Sequence, residues 1–400
     1  MTMKNKKNVP AIRFKGFAEE WEVITIESIA DKFYGGGTPR TTVERYWNGN
    51  IPWIQTSDLK EDVVFGVVPQ KYISNSGVKE SATKLVPENS ISVITRVGVG
   101  KLALIPFKYA TSQDFLSISK LKIDEYFAAY IIHRKMQTLL NEVQGTSIKG
   151  VTKEELLANK IEIPTKKDEQ KSIGSYFKNI DRLINAIQSK LDKLKCIKKA
   201  YLEKMFPRDG SVTPRLRFKG FADEWKDAIL EQIGNRYDNL RVPITERDRI
   251  AGKIPYYGAN GIQDYVEGFT HDGEYILIAE DGANDLDNYP IQYVNGKIWV
   301  NNHAHVFQGF RDVADNLFLR YSISQTNIKS LLVGGGRTKL NAQAMMGIET
   351  HLPKNIKEQQ KIGSFLRNID DLIAKTEQQI NKLKNIKKAC LDKMFVNRED

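Results

Sequence analysis

The sequence contains few of the features that mark several common classes of protein. Only two cysteines, Cys196 and Cys390, occur among 400 residues, so a disulfide framework is excluded and a reducing compartment is favoured. No stretch approaches the roughly 18 consecutive apolar residues of a membrane helix. The basic segment Met1–Lys7 is not followed by an apolar run, so no secretion signal is expected. These absences predict a soluble, cytoplasmic protein that does not enter a membrane.

Motifs for nucleotide binding and catalysis are also missing. The segment Gly98-Val-Gly-Lys101 lacks the spacing of a phosphate-binding loop, and Leu102 stands where Ser or Thr is needed. The triple glycines that begin at Gly35 and Gly334 lack a following Lys-Ser or Lys-Thr pair, and are interpreted as flexible loops. No nucleophile, base and orienting residue can be assembled from the sequence. These absences argue against an autonomous enzyme, and no cofactor-binding motif is found in this chain.

His303 and His305 form the one histidine cluster. On a strand, residues i and i+2 share a face, so two imidazoles could hold a metal ion. No cysteine or carboxylate at ligand spacing completes the set, and no metal site is predicted. The two histidines, with Asn302, are equally suited to contact a polar ligand or to form a hydrogen-bonded structural face.

The net charge of the sequence suits a polyanionic partner, and its length suits a multidomain fold. The 60 lysines and arginines exceed the 49 aspartates and glutamates, which gives a net charge of +11. The length is typical of two to four domains at roughly 100–200 residues each.

The chain repeats itself once. The segment Pro10–Trp21 returns as Pro214–Trp225, and Ile173–Asp181 returns as Ile362–Asp370. Between these shared ends, the sequences of the two halves show little similarity beyond their glycine and aromatic content. The pattern indicates two copies of one design that carry two different inserts.

The repeated C-terminal segments predict two long helices with a heptad seam, each about 50 Å long over some 35 residues. We expect the two helices to pack as an antiparallel coiled-coil pair, within one chain or between two chains; the alternative is separate docking of each helix on its own domain. The apolar seam positions are Ile173, Phe177, Ile180, Ile184, Ile187, Leu191, Leu194, Ile362, Leu366, Ile369, Ile373, Ile380 and Leu383.

The inserts predict strand-rich domains that also contain short helices, for example Tyr126–Glu142. Strand-like pieces include Ser90–Thr95, Lys101–Ile105, Tyr275–Ile278 and Lys297–Val300. The fold class is therefore α+β, with a pseudo-two-fold internal repeat. The expected domains are two globular regions, 1–165 and 208–353, and two helical spacers, 166–207 and 354–400.

At this point the chain resembles the specificity subunits of Type I restriction–modification systems over essentially its whole length. Arg13-Phe-Lys-Gly-Phe17 with Trp21 opens the first domain and recurs in the second. Other phrases similar to that family are Ile51–Asp58, Arg96–Lys101, Tyr256–Gly261, Glu280–Gly282 and Trp299–His305.

The resemblance implies a non-catalytic DNA-binding subunit with one target-recognition domain for each half of an asymmetric, bipartite DNA site. It implies two bound modification subunits, which use S-adenosylmethionine to methylate adenine N6. It further implies restriction subunits, which use ATP and Mg²⁺ to translocate and cut DNA. The helices would set the gap between the half-sites and offer two equivalent docking surfaces.

Candidate DNA-binding residues follow from the chemistry of base edges and phosphates. Arg96 and Arg337 suit guanine, and Gln55, Gln113 and Asn302 suit adenine. Lys101 and Lys339 suit phosphates, while His303 and His305 remain candidates as polar contacts.

Two other functions remain open from the residues alone. A stand-alone nuclease or methyltransferase would yield product from DNA with Mg²⁺ and S-adenosylmethionine. A coiled-coil scaffold that binds only proteins would lack the salt-dependent DNA affinity of a specificity subunit.

Overall fold

The computed structural model describes residues 8–142, 150–208, 210–334 and 338–396. It divides into two compact units. Unit 1 comprises Met1–Gln188 with Gln379–Asp400, and unit 2 comprises Ser189–Gln378. Each unit therefore contains one insert and part of both long helices.

Among the described residues, the first half of the chain forms nine strands and four α-helices. The strands are β1 (Glu22–Thr25), β2 (Ala30–Gly35), β3 (Ile51–Ile54), β4 (Lys71–Ile73), β5 (Ser90–Ile94), β6 (Leu102–Ile105), β7 (Ala110–Thr111), β8 (Phe115–Leu121) and β9 (Lys160–Ile163). The helices are α1 (Asn75–Lys79), α2 (Glu125–Glu142), α3 (Lys153–Ala158) and α4 (Lys167–Met205).

The second half follows a similar order. Its strands are β10 (Lys226–Ile229), β11 (Gly234–Arg236), β12 (Ala251–Gly258), β13 (Gly261–Val266), β14 (His271–Ala279), β15 (Ile291–Val300), β16 (Ala304–Gly309) and β17 (Glu349–Leu352). Its helices are α5 (Leu230–Ile233), α6 (Asn316–Ile323), α7 (Ala342–Met346) and α8 (Ile356–Lys393). The predicted strand pieces and the predicted helix at Tyr126–Glu142 are confirmed.

The inserts have one topology despite their different sequences. In unit 1 a four-stranded sheet has the order β2-β8-β5-β6 and a three-stranded sheet has the order β4-β3-β7. In unit 2 a single sheet has the order β11-β16-β14-β15-β12-β13. The long strand β15 pairs with β14 along its first part and with β12 at its end. It therefore occupies the positions that β6 and β7 occupy in unit 1, where β6 pairs with β5 and β7 pairs with β3. The sequence comparison did not detect this equivalence.

Period-two alternation explains why the central strands are buried on both faces. Ile91 and Val93 of β5 face the core that includes Phe127 of α2, whereas Ile94 faces a second core around Tyr109. In unit 2, β14 divides its side chains between two cores in the same way. In β14 the result is a continuous apolar run, Tyr275–Ala279, because neither face meets water. In β5 the buried Ser92 is instead hydrogen-bonded to the hydroxyls of Tyr109 and Ser117 at 2.7 Å.

The long helices α4 and α8 contain 39 and 38 residues. In unit 1, Tyr176 Oη lies 3.3 Å from Cys390 Sγ, and Asp181 forms a 2.6 Å ion pair with Lys387. Residue numbers thus rise along one helix as they fall along the other, so the helices run antiparallel.

Unit 2 contains the equivalent antiparallel contacts. Lys195 pairs with Glu377 at 2.8 Å, and Lys198 with Asp370 at 2.6 Å. The predicted antiparallel pairing is confirmed, and both partner helices belong to one chain. Seam residues that are buried include Ile173, Phe177, Ile180, Leu191, Ile362, Leu366, Ile369 and Ile380; Ile184, Ile187, Leu194, Ile373 and Leu383 are half-buried.

The end of each long helix completes a core. In unit 1, Phe395 stacks on Phe127 and Phe177, with ring centroids 5.6 and 5.7 Å apart. In unit 2, Phe206 stacks on Phe318 at 5.5 Å. Each globular insert is therefore anchored by the C-terminal end of a helix that begins in the other half of the chain.

The repeated arginine motif is structural. Arg13 donates two hydrogen bonds to Glu169 at 2.6 and 2.7 Å. Arg217 binds Glu358 in the same bidentate way at 2.7 and 2.8 Å. Both glutamates lie in the first turn of a long helix and are buried, so each motif fixes the point where the helix leaves its globular insert.

Within the described ranges, no helix is both long and apolar enough to cross a membrane.

Candidate nucleic-acid interface

In unit 1, four of the predicted DNA-binding residues converge at one end of the sheets. Strands β3 and β7 pair in parallel, so their C-terminal ends meet, and Gln55 follows β3 as Gln113 follows β7. The end of β5 lies beside the start of β8, because Ile94 pairs with Phe115. We call this region the unit 1 loop edge, and it comprises residues 36–38, 55, 95–101 and 112–114.

The hairpin between β5 and β6 brings two basic residues to this edge. The Ile94 N–H donates to the Lys101 carbonyl at 2.9 Å, which closes the hairpin. Gly98 and Gly100 have φ values of 85° and 100°, a conformation that favours glycine. Arg96 at the tip is exposed and Lys101 is half-buried. The hairpin can thus present positive charge to a phosphate backbone or to a guanine edge.

Thr38 was not identified from the sequence, although it orients a predicted residue. Its hydroxyl donates to Gln113 Oε1 at 2.6 Å. The glycines before it allow this contact, because a Cβ on Gly36 would lie 1.8 Å from the Ser112 carbonyl oxygen. Gly37 N–H also donates to the Thr111 carbonyl. The segment after Gly35 is a loop, as interpreted from the sequence, and its glycines lie where the loop backbone closely approaches the backbone of residues 111–112.

Unit 2 presents an equivalent edge. Strands β12 and β15 pair in parallel at Tyr257 and Val300, and the next residues include the predicted Asn302 and His303. Asn260 in the β12–β13 turn braces the neighbouring loop by donating to the Gly282 carbonyl at 2.9 Å. We call this region the unit 2 loop edge, and it comprises residues 258–260, 280–284, 301–303 and 338–339.

A cluster of charges lies beneath this edge. Glu280 accepts from Arg241 at 2.6 Å and from Lys339 at 2.6 Å. Asp238 lies 2.6 Å from His305 Nδ1 and accepts from the Val306 N–H. Nothing in the local sequence around Asp238 or Arg241 indicated this role.

The contacts within the cluster shift the pKa values of Glu280, Asp238 and Lys339 so that the charged form of each is favoured. Burial alone would raise the pKa of Glu280, but hydrogen bonds from Lys339 and Arg241 outweigh it and lower that pKa. Burial likewise opposes ionisation of Asp238, while its hydrogen bond with His305 and the nearby positive charges lower its pKa. Glu280 in turn raises the pKa of Lys339. The carboxylates are thus held ionised by fixed cations.

The two histidines occupy different environments. Strand β16 begins at Ala304, so His303 lies in the preceding turn, where its Nδ1 is 2.6 Å from Asp281. His305 is buried, and its Nε2 lies 2.8 Å from the Leu340 carbonyl oxygen. Both ring nitrogens of His305 thus have oxygen partners, which fixes the orientation of the ring beneath the edge.

Asp238, Glu280 and His305 also bring one ligand atom each within 4.8 Å of the others. A metal ion there would have to displace Arg241 and Lys339 from the carboxylates, so this donor set fits internal ion pairing better than metal binding.

The remaining predicted residues divide by exposure. Asn302 and Lys339 are exposed and His303 is half-buried, whereas His305 lies in the core beneath the edge. Arg337 lies outside the described residues. Gln55 is half-buried, and its N–H donates to Asp58 in the next turn.

These features define a class: an internally duplicated α+β protein in which each unit presents a polar loop edge at the ends of parallel strands. The chain belongs to the family described as the Type I restriction modification DNA specificity domain, whose sequence model matches residues 18–195 and 222–385. The two matches correspond to the two halves of the repeat. At the level of its family, the function of the chain is DNA sequence recognition in a type I restriction–modification system.

Comparisons with individual proteins agree with this family. The chain is 44% identical over 135 residues to a putative type I restriction enzyme specificity subunit of Haemophilus influenzae, a match that spans 34% of each protein. It is 27% identical to the MjaIX specificity subunit of Methanocaldococcus jannaschii, over 94% of this chain and 93% of that protein. It is also 27% identical to the EcoprrI specificity subunit of Escherichia coli, over 89% and 88%.

Among solved structures, the fold is similar to the crystal structure of the Type-I restriction-modification system S subunit from M. genitalium. The TM-score is 0.73 and the identity is 18%, with 98% of this chain and 100% of that chain covered. This likeness concerns the fold alone.

Proposed function

We propose that the chain recognises an asymmetric, bipartite site in double-stranded DNA, with one half-site for each loop edge. One observation carries the proposal: the two units share a topology but present different side chains on equivalent loops. Base edges are distinguished by the side chains that reach them, so different edges predict different half-sites.

The candidate contacts are Gln55, Arg96, Lys101 and Gln113 in unit 1, and Asn302, His303 and Lys339 in unit 2. Arg337 remains a candidate from the sequence. His305 is the exception, because its burial suits a support for the unit 2 loop edge rather than a direct contact.

The helices α4 and α8 would set the gap between the half-sites. A 39-residue helix is about 58 Å long. Their repeated sequence favours two equivalent docking surfaces, which would bind two copies of a modification subunit. Restriction subunits would join the complete enzyme.

In this proposal the chain itself performs no chemistry and acts in the cytoplasm. Partner subunits would supply S-adenosylmethionine for methylation of adenine N6, and ATP with Mg²⁺ for restriction. The chain would choose the site at which those reactions occur.

The test is a map of methylated adenines in cells that contain the modification partner, with and without this chain. We expect a split, asymmetric motif that is present only with the chain. A methylation pattern independent of the chain, together with equal affinity of the purified complex for all DNA sequences, would overturn the proposal.

A further inference from the structure

The same three-residue turn occurs in both loop edges. It is Ser112-Gln113-Asp114 between β7 and β8, and Asn301-Asn302-His303 between β15 and β16. In each turn the first residue is buried and the middle residue is exposed. The exposed side chain is a primary amide in both cases.

The first residue of each turn makes the same backbone hydrogen bond. Ser112 N–H donates to the Ile54 carbonyl at 3.0 Å, and Asn301 N–H donates to the Tyr257 carbonyl at 3.0 Å. Each acceptor belongs to the strand that pairs in parallel with the strand before the turn.

The third residue of each turn is also held by an equivalent backbone hydrogen bond. Its carbonyl accepts from the residue that follows the neighbouring antiparallel strand: Thr95 N–H donates to Asp114 at 2.8 Å, and Glu280 N–H to His303 at 2.8 Å. Gln113 and Asn302 therefore occupy one structural position in two inserts whose sequences are otherwise dissimilar.

Side chains fix these turns further. Asn301 accepts from the His303 N–H at 2.8 Å and donates to Gln263 at 3.3 Å. In unit 1, the hydroxyl of Ser112 donates to Asp114 at 3.2 Å. An exposed amide on such an anchored turn loses little backbone entropy when it binds a ligand.

Gln113 is oriented as well as exposed. Because Thr38 donates to Gln113 Oε1, the amide oxygen is fixed and the NH₂ group keeps its donors for a ligand. The oxygen retains a second lone pair. One donor and one acceptor side by side match N7 and N6–H of adenine, which Gln and Asn contact in a bidentate manner.

We propose that Gln113 and Asn302 are the equivalent specificity-determining residues of the two units, and that each forms a bidentate contact with an adenine in its own half-site. This inference rests on the proposed function. It adds that one position of the shared fold reads the same base in both half-sites.

The test uses the complete methyltransferase complex with the variants Gln113→Ala and Asn302→Ala. Binding is measured on a series of duplexes in which each base pair of the mapped motif is replaced in turn. For each variant we expect the discrimination at one A·T pair of one half-site to fall by a factor of about ten to a hundred. Discrimination at every position of the other half-site should stay unchanged. This retained discrimination would also show that the variant protein is folded.

Two further variants sharpen the assignment. Gln113→Glu and Asn302→Asp keep the side-chain shape but replace the amide with an acceptor-only carboxylate, which favours the N4 donor of cytosine. We expect the preference at the affected position to move from adenine towards cytosine.

The matched controls remove exposed amides away from the edges. Asn89→Gly precedes β5, at the end opposite Thr95, and its φ of 55° suits glycine. Asn295→Ala lies within β15, away from the turn. Both should keep the full motif.

Each other outcome has a definite meaning. If the unaltered complex recognises a split motif but the alanine variants discriminate as it does, this inference fails and the proposed function stands. Loss of discrimination spread over both half-sites would also overturn the inference. If the unaltered complex shows no sequence preference, the proposed function itself fails.

Discussion

Arg13 and Arg217 each reach a glutamate that is 1% exposed, while the arginines are 13% and 14% exposed. Removal of one partner from such a pair leaves a buried charge without compensation. We therefore expect Arg13→Ala to lower the free energy of unfolding by about 3–5 kcal/mol, and Arg217→Ala to have a similar effect. Urea unfolding of the purified chain measures both.

Arg45 provides the control for this prediction. It pairs with Glu80, but both side chains are largely exposed, so Arg45→Ala should cost no more than about 1 kcal/mol. Equal losses for the exposed and the buried arginines would contradict the structural role of the repeated motif.

The lowered pKa values of Asp238 and Glu280 predict a dependence of stability on pH. Their ordinary values are 3.8 and 4.5, and both pKa values are lower in the folded chain. Groups of this kind add stability above their ordinary pKa and lose it as pH falls through the lowered folded pKa. We expect this contribution to be constant above about pH 5 and to decline at more acidic pH.

The comparison that isolates this effect is the wild type against Asp238→Asn and Glu280→Gln. The stability advantage of the wild type should shrink as the pH falls below 4.5. Asp315 acts in the opposite direction, because burial raises its pKa, so the difference between proteins is more informative than either curve. An advantage that grew with acidification would exclude the assigned ion pairs.

Sequence reasoning at the residue scale located the loop edges but not their supports. Gln55, Gln113 and Asn302 were identified by chemical type and follow strand ends, whereas Lys339 lies in an isolated β-bridge with Asp281. Thr38 was missed because Gln113 is 75 residues away, and Arg241 because Glu280, to which it donates, is 39 residues away. The alternation expected for His303 and His305 does not apply, because the strand begins between them at Ala304.

At the scale of elements, the helices were the most predictable part of the chain. A heptad seam is a local pattern that survives without knowledge of the fold, and Pro164 and Pro353 precede the two helices. The common topology of the inserts was not predictable in this way. It depends on which strands pair. The equivalent of the single strand β15 in unit 2 is two separate strands, β6 and β7, in unit 1.

The antiparallel helices predict how the spacing between half-sites can be altered. We expect insertion of one heptad into both α4 after Gln188 and α8 after Gln378 to preserve the seam and lengthen the pair by about 10 Å. At roughly 3.4 Å per base pair, the gap in the methylated motif should widen by about three base pairs. Mapping of methylated adenines measures the gap directly.

The controls for this prediction alter one helix alone. A heptad added only to α4 moves Asp181 and Lys198 out of register with their partners on α8. Methylation at the original motif should then decrease, and no motif with a wider gap should appear. If the double insertion is methylated at the original gap, the helices do not set the spacing.

For the whole molecule, the net charge of +11 and the two loop edges lead to different expectations about binding. Positive charge attracts any DNA sequence. The logarithm of the affinity that comes from phosphate contacts falls linearly with the logarithm of the salt concentration, and each phosphate neutralised adds about 0.9 to the steepness of that slope. Base contacts change the ratio of specific to non-specific affinity and depend less on salt.

In the assembled complex, Lys101→Ala should therefore weaken binding to all sequences and reduce the salt slope by about one. Gln113→Ala should leave that slope unchanged while it reduces the ratio between the cognate and unrelated duplexes. Titrations of both duplexes at several salt concentrations measure the two quantities together. A Lys101 variant that changed only the ratio would assign that lysine to base reading instead of phosphate binding, and affinity independent of salt would favour a protein-binding scaffold.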